Sequence, residues 1–395
     1  MIEEAVSPTL TENDSRNSDV GNQVGMDKNR LLNFIKKRNN YIKTLPKKEK
    51  QAFIASINEL KESKNRIERL LLKKKSGKNI DDLLFSFDDL PLFGKEYWFM
   101  KFTANDGSKR QFFLMFGRTD DDIEVNGRYI KDSKVSDNRT EGYCVSWEYD
   151  EKQRTITDDL CTIEIKDDII ACFNDNISAE FCGSFPEYSL NIMEAGKKFC
   201  SLTIKKPENT EFISELSEQF KGLFGFRLAN LYFDFEGQLS CNDFSGKCYA
   251  QKVIVVGPFI PWKWSRIVFR NGSILTYFVP SIEVMGVEYD IYNSMSFYDS
   301  MTQKMHYFEK VSVHEYPSEK EDKRWIVTAE GNKVFVVMKS YCKKSFSFRK
   351  DFDFKYIENL VEVIDLKIET NYDVITLDTT GSGQGMVEDT SGFVI

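Results

Sequence analysis

Histidine is almost missing from this chain: its 395 residues hold two, His306 and His314. A Ser/His/Asp or Cys/His nucleophile system needs an imidazole base beside its nucleophile, so neither system finds a partner elsewhere in the sequence. The two histidines sit on adjoining strand-like segments, where they can share a face. No third ligand pattern accompanies them, and no metal site is expected. Eight cysteines, Cys144, Cys161, Cys172, Cys182, Cys200, Cys241, Cys248 and Cys342, are scattered without a CxxC pair. They fit neither zinc spacing nor a small disulfide framework and read as buried free thiols. No run of about 18 apolar residues exists for a membrane helix. Met1-Ile2-Glu3-Glu4 lacks the basic and apolar regions of a signal peptide. The expectation is a cytoplasmic chain with reduced thiols. Gly381-Ser382-Gly383-Gln384-Gly385 is glycine-rich, yet it matches no P-loop or dinucleotide fingerprint and precedes no helix pattern. It reads as a turn or a close approach of strands, and no cofactor is expected.

What is present in excess is aromatic. Phe, Tyr and Trp make up 14% of the chain, with 32 Phe and 17 Tyr. Aromatics favour strands and apolar interiors. Charge is uneven: residues 27–78 carry 17 Lys and Arg against five Asp and Glu, although the whole chain is at −8. A basic segment is thus joined to an acidic body, which points to an acidic partner within the chain, at a membrane surface or on a nucleic acid.

Residues 1–25 are polar and aperiodic, as a disordered tail would be. Over 26–78, Leu31, Phe34, Ile35 and Ile42 form one apolar stripe. Phe53, Ile57, Leu60, Ile67 and Leu71 form another. Thr44-Leu45-Pro46 separates them, and the spacing predicts a basic α-helical hairpin with coiled-coil-like seams. From Asp81 onward the helical period gives way to strand and hairpin signals. Turns are expected at Asn105-Asp106-Gly107-Ser108, Asn126-Gly127, Glu236-Gly237, Asn271-Gly272 and Glu330-Gly331-Asn332. Asn271-Gly272 favours a type I′ hairpin. Only 210–221 looks helical here, with Phe212, Leu216 and Phe220 before Gly222. It would divide two antiparallel β-barrel or sandwich units, 81–210 and 222–395.

Several segments together resemble the carotenoid 1,2-hydratase (hydroxyneurosporene synthase)-like proteins. They are Glu96-Tyr97-Trp98-Phe99 with Phe112-Phe113-Leu114-Met115-Phe116, Gly246 to Lys252 with Pro261-Trp262-Lys263-Trp264-Ser265, and Gly383-Gln384-Gly385-Met386-Val387-Glu388. The resemblance covers roughly residues 90–395. It implies two lipocalin-like β units side by side with an apolar cavity near their interface. It also implies an isoprenoid hydratase or, more distantly, a polyene cyclase. One departure matters. Where those hydratases place a His two residues before the motif Trp, this chain has Trp262, and an indole cannot shuttle a proton. Tyr289 and Asp290 lie downstream, where the resemblance implies a Tyr and an Asp.

The residues themselves offer Trp262 and Trp264 on one strand face, able to line a cavity mouth. Tyr249 and Gln251 share a face, Tyr277 can point inward, and Trp98 stands in the opening motif. These six form the expected ligand-binding set. Asp290, Glu388 and Tyr289 form the expected catalytic set, and Glu283 and Glu388 are isolated carboxylates on otherwise apolar strands. A buried one would have a raised pKa and could serve as an acid. The expected function is binding of an apolar, isoprenoid-like small molecule in a β cavity. Acid-assisted hydration, isomerisation or cyclisation by a cofactor-independent lyase or isomerase would follow. The alternative is a non-enzymatic interaction protein whose residues 27–78 contact an anionic membrane surface, a nucleic acid or a protein. Few aromatics interleave those basic residues, which argues against nucleic acid.

Overall fold

The computed structural model describes residue 90 and residues 94–392, except 120–121, 131–137, 167–168, 208–213, 222–223, 257–260, 285–286, 291–292, 317–322, 350–352 and 371–372. The side chains of 159, 166, 214–221, 224–227, 256, 281–284 and 287–290 are likewise not described. The expected tail (1–25) and basic helical hairpin (26–78) lie outside the described residues.

Over the described residues the chain is almost entirely β. Its strands run β1 (Gly94–Ala104), β2 (Gln111–Thr119), β3 (Ile123–Val125), β4 (Arg128–Ile130), β5 (Arg139–Asp150), β6 (Lys152–Lys166), β7 (Ile169–Phe173), β8 (Ile177–Ser184), β9 (Glu187–Glu194), β10 (Lys197–Lys205), β11 (Ser214–Lys221), β12 (Phe224–Leu239) and β13 (Asn242–Val256). They continue with β14 (Trp262–Phe269), β15 (Ile274–Val284), β16 (Val287–Asp290), β17 (Ser294–Asp299), β18 (Lys304–Phe308), β19 (Ser312–Tyr316), β20 (Arg324–Ala329), β21 (Val334–Arg349), β22 (Asp353–Glu369), β23 (Val374–Thr376) and β24 (Gly383–Gly392). One short helix, α1 (Leu377–Thr380), precedes β24.

Ten of these strands close into an antiparallel barrel. The order is β10-β9-β8-β7-β6-β5-β2-β1-β13-β12, and β12 pairs back to β10 through Cys200↔Leu239 to Lys205↔Asp234. β11 hangs on the outer side of β12. The second sheet follows the order β18-β17-β15-β14-β24-β22-β21-β20-β19, with β16, β23 and the β3–β4 hairpin attached. Its end strands are consecutive in sequence, and Glu330 N bonds Glu309 O at 3.1 Å, so the sheet curls back on itself.

Three expectations need correction. Residues 214–221 pair with β12 as a strand, so the stretch expected to be helical adds to the barrel instead. The Leu216 and Phe220 spacing is compatible with either period over so short a run, and pairing with β12 decides it. The sheets also divide between Val256 and Trp262 rather than at 210–222, because β12 and β13 close the barrel. At Asn271-Gly272 only Gly272 has positive φ (88°). The turn is therefore not type I′, which needs positive φ at both residues. The Asn271 side chain instead accepts a bond from Ser273 N at 2.9 Å. Asn126 and Gly127, at φ 52° and 81°, do form the tight β3–β4 turn.

Three apolar clusters result. One fills the barrel interior with Trp98, Met100, Phe102, Phe112, Phe116, Phe181, Phe233 and others. A second fills the curl of the second sheet around Trp325, Phe297 and Tyr277. The third is the seam where the outer barrel face of β1, β2, β5 and β13 meets β14, β21, β22 and β24. β1 shows why its sequence reads as nearly continuous apolar residues: Trp98, Met100 and Phe102 point into the barrel, while Tyr97 and Phe99 point into the seam. Strands covered on both faces need no alternation. β7, open to solvent on one face, alternates in burial. At the β1 entry end, Glu96 is buried between Arg118 (Nη2, 2.8 Å) and Lys252 (Nζ, 2.9 Å).

Candidate active site

The seam contains a buried group of ionisable side chains, and the register of β22 and β24 creates it. Glu358 and Glu388 are directly opposed cross-strand partners. Like charges so placed repel, and here both carboxyls are also nearly sealed from water, Glu358 at 0% exposure and Glu388 at 6%. Tyr356, two residues before Glu358 and therefore on the same face, reaches both: its hydroxyl is 3.0 Å from Glu358 Oε1 and 2.6 Å from Glu388 Oε1. The remaining oxygens accept indole N–H groups, Trp147 Nε1 to Glu358 Oε2 at 2.5 Å and Trp262 Nε1 to Glu388 Oε2 at 2.7 Å. Trp147 comes from the barrel and Trp262 from the second sheet, so the cluster spans the seam.

The geometry suits a proton on one carboxyl. A phenol has one hydrogen to donate, and Tyr356 contacts two carboxyl oxygens. A carboxylic acid at one of them supplies the second donor. Electrostatics favour that state. Burial, then the neighbouring Glu388, push Glu358 well above the usual carboxylate range. Burial lifts Glu388 to about 7 against the opposing pull of the Tyr356 and Trp262 hydrogen bonds and Lys101. Lys101, buried on β1, is lowered to about 7 by burial and then by Arg266. Its Nζ donates to the Arg266 carbonyl at 3.2 Å. The pair is thus an acid near neutral pH, with Glu388 as its more exposed member.

Aromatic rings surround it. Trp262 packs against Phe354 (5.5 Å between centroids) and Tyr356 (6.0 Å). Trp264 stacks on Tyr249 at 5.5 Å, and the Arg266 guanidinium lies 4.3 Å from the Tyr232 centroid and 4.7 Å from that of Tyr249. Trp262 and Tyr97 are only partly buried and mark the edge of the cluster nearest Glu388.

The structure places the sequence-expected residues as follows. Trp262, Trp264, Tyr249 and Glu388 meet in or beside the seam. Gln251 Nε2 donates to the Tyr249 hydroxyl and to Asn230 Oδ1, both at 2.9 Å, on the same outer barrel face. Trp98 lies inside the barrel against Phe181, and Tyr277 lies in the second sheet's core, so neither joins the seam. The backbone of Tyr289 and Asp290 forms part of β16, paired with Ile282 and Ser281. Their side chains, and that of Glu283, lie outside the described residues. His306 and His314 fall on β18 and β19, and among the described residues no His, Cys, Asp and Glu cluster suits a metal ion. Among the described residues, Phe, Trp and Leu side chains occupy the barrel interior. A small cavity of about 10 Å³ lies in the seam.

Lys101, Trp147, Tyr356, Glu358 and Arg266 were not among the sequence candidates. A signal existed for two of them. Lys101 interrupts Trp98-Phe99-Met100 and Phe102, and Glu358 interrupts Tyr356-Ile357 and Leu360-Val361. A charge inside a continuous apolar strand is forced into one of two buried faces.

No family model matches the chain, and no curated protein matches it. Solved structures do. AttH from Nitrosomonas europaea aligns at 11% identity over 80% of this chain and 97% of its own, with a TM-score of 0.40. CghA, solved with Sch210972, aligns at 11% identity over 76% and 88%, with a TM-score of 0.39. Kievitone hydratase from Nectria haematococca aligns at 10% identity over 81% and 95%, with a TM-score of 0.40. Among the described residues, no helix is long and apolar enough to cross a membrane.

Proposed function

We propose that this chain is a cofactor-independent acid catalyst acting on an apolar, isoprenoid-like small molecule at the Trp262 edge of the seam. The observation that carries this reading is the buried Glu358–Tyr356–Glu388 group, in which burial raises both carboxyl pKa values. Buried ionisable groups with shifted pKa values cluster at functional sites. In the reaction, the Glu388 carboxyl protonates an alkene carbon and leaves a carbocation. Water then adds through its oxygen and returns a proton to the carboxylate, which completes hydration. Loss of a neighbouring proton instead gives isomerisation, and attack by a second alkene gives cyclisation. Trp262 and Tyr356 supply ring faces that attract the cation. The order of the sequence motifs supports the isoprenoid-like class, and Tyr289 and Asp290 on β16 remain candidates for a second proton-handling pair.

Native mass spectrometry of protein purified from its source identifies a co-purifying ligand. Turnover of that ligand in ¹⁸O-water then separates hydration, which incorporates label, from isomerisation and cyclisation, which do not. Glu388→Gln is expected to abolish turnover while ligand binding persists. Unchanged turnover in that variant refutes the mechanism.

The filled interior favours a second reading, a non-enzymatic interaction protein with residues 27–78 contacting an anionic membrane surface or protein. Deleting residues 1–78 and measuring liposome binding tests it: retained binding removes its main support.

A further inference from the structure

Among the described residues, the seam also buries two basic groups with no carboxylate in contact. Arg266 is 4% exposed and Lys101 2% exposed. Among the described residues, neither has a carboxylate oxygen within 4.0 Å. The Arg266 guanidinium bonds Thr276 Oγ1 at 3.2 Å and otherwise lies over the Tyr232 and Tyr249 rings. Lys101 Nζ has three hydrogens, and its hydrogen bond goes to the Arg266 carbonyl. Glu358 and Glu388 lie further along the seam and already accept the indole and phenol hydrogens. An arginine stays charged in any protein environment, and a buried charge without a counter-charge is strongly unfavourable. The Tyr rings offset part of the cost for Arg266, and burial beside Arg266 lowers Lys101 to about 7; an anion between the two would relieve both penalties.

Both cations line one cavity. Its walls are Lys101 and Thr103 from β1, Lys247, Cys248 and Tyr249 from β13, and Arg266 and Val268 from β14. Lys247 stands at the rim and pairs with Asp234. The volume, about 10 Å³, accommodates one particle the size of a water. A halide, only somewhat larger than water, is the anion that needs the least widening of such a space, whereas phosphate, sulfate and carboxylate groups need much more.

We propose that the cavity between Lys101 and Arg266 is a binding site for a monoatomic anion, chloride in the cell. Its lining includes the donor-bearing Lys101, Arg266 and Thr103 together with Tyr249 and Val268. The ion would neutralise the cations where the barrel meets the second sheet and thereby clamp β1 and β13 to β14. This site lies beside the carboxyl pair, whose charge Lys101 also feels, but it does not depend on the reaction proposed above.

The test uses the full chain and bromide as probe. Crystals grown in sodium bromide are expected to show an anomalous peak in the cavity. In solution, Tm is expected to rise with bromide and saturate, while sodium gluconate at equal ionic strength, too large to enter, gives no such rise. Thr103→Met fills the cavity and leaves both cations in place, and it is expected to lose the bromide-specific shift. Water alone in the cavity overturns the proposal. So does a peak without saturable stabilisation, which is binding at crystal concentration only. Equal stabilisation by bromide and gluconate, or a bromide shift that survives in Thr103→Met, overturns it too.

Discussion

Replacing Glu388 by Gln removes the ionisation of the seam carboxyl while nearly keeping its shape, and the effect on stability should depend strongly on pH. The wild-type carboxyl moves from an ordinary 4.5 to about 7 on folding, chiefly through burial. A raised carboxyl pKa means that the folded state holds the proton more tightly than the unfolded chain. Stability from this group is therefore fully present below about pH 4.5 and is lost as pH rises toward about 7. The shift of roughly 2.5 pH units corresponds to about 3 kcal/mol, of which about 2 kcal/mol develops between about pH 5 and about pH 8. Gln carries no such penalty. Its amide oxygen can accept the Trp262 indole hydrogen while its NH₂ donates to the Tyr356 hydroxyl in place of the acid proton. Glu388→Gln is thus expected to lie within about 1 kcal/mol of wild type at about pH 5 and to exceed it by about 2 kcal/mol at about pH 8. Urea unfolding of both proteins across this range measures the divergence. A stability difference that stays constant from acid to alkaline pH would refute the buried-acid reasoning.

Four further outcomes follow from the packing. Trp147→Phe removes the indole bond that joins the barrel to Glu358 and should cost ~1–3 kcal/mol. A double-mutant cycle with Glu358→Gln that shows no coupling would contradict that bond. Gly385→Ala places a Cβ 2.0 Å from the Arg266 carbonyl oxygen and 2.8 Å from Ile267 Cα. Backbone cannot yield by that much, so loss of folded protein by circular dichroism is expected, and a native-like melt would be inconsistent with the β14–β24 register. Trp98→Phe deletes a buried indole N–H that has no hydrogen-bond partner. Its cost in urea unfolding should stay within about 1.5 kcal/mol, since lost packing is offset by removal of an unsatisfied donor. Lys101→Met, measured in gluconate, should gain stability over wild type below about pH 7, with the gain shrinking as pH rises to about 10.5. The sign follows because the lowered lysine pKa makes folding expel a proton. A gain that grows with pH would be the wrong sign.

The alternation of apolar and polar residues and the Gly-containing turns made the β character legible, since a strand's period of two is local. Turn chemistry at Asn126-Gly127 was equally local. At Asn271-Gly272 it was not, because the Asn271 side chain found Ser273 N as a partner. The 214–221 stretch misled for a related reason: a run of eight residues satisfies either period, and only pairing with β12 chooses between them.

The sequence by itself determined that this is an aromatic-rich β chain. It also singled out Glu388 and the Trp262–Trp264 pair, because an isolated carboxyl and two same-face indoles are visible in one strand. Only the tertiary structure decided that Glu388 faces Glu358, that Tyr356 joins them, and that Lys101 and Arg266 share a cavity. Those neighbours come from β1, β14, β22 and β24, far apart along the chain, and the closure of one sheet and its docking on the other bring them together. The protonation of the carboxyls is a property of that shared burial, which no single strand carries.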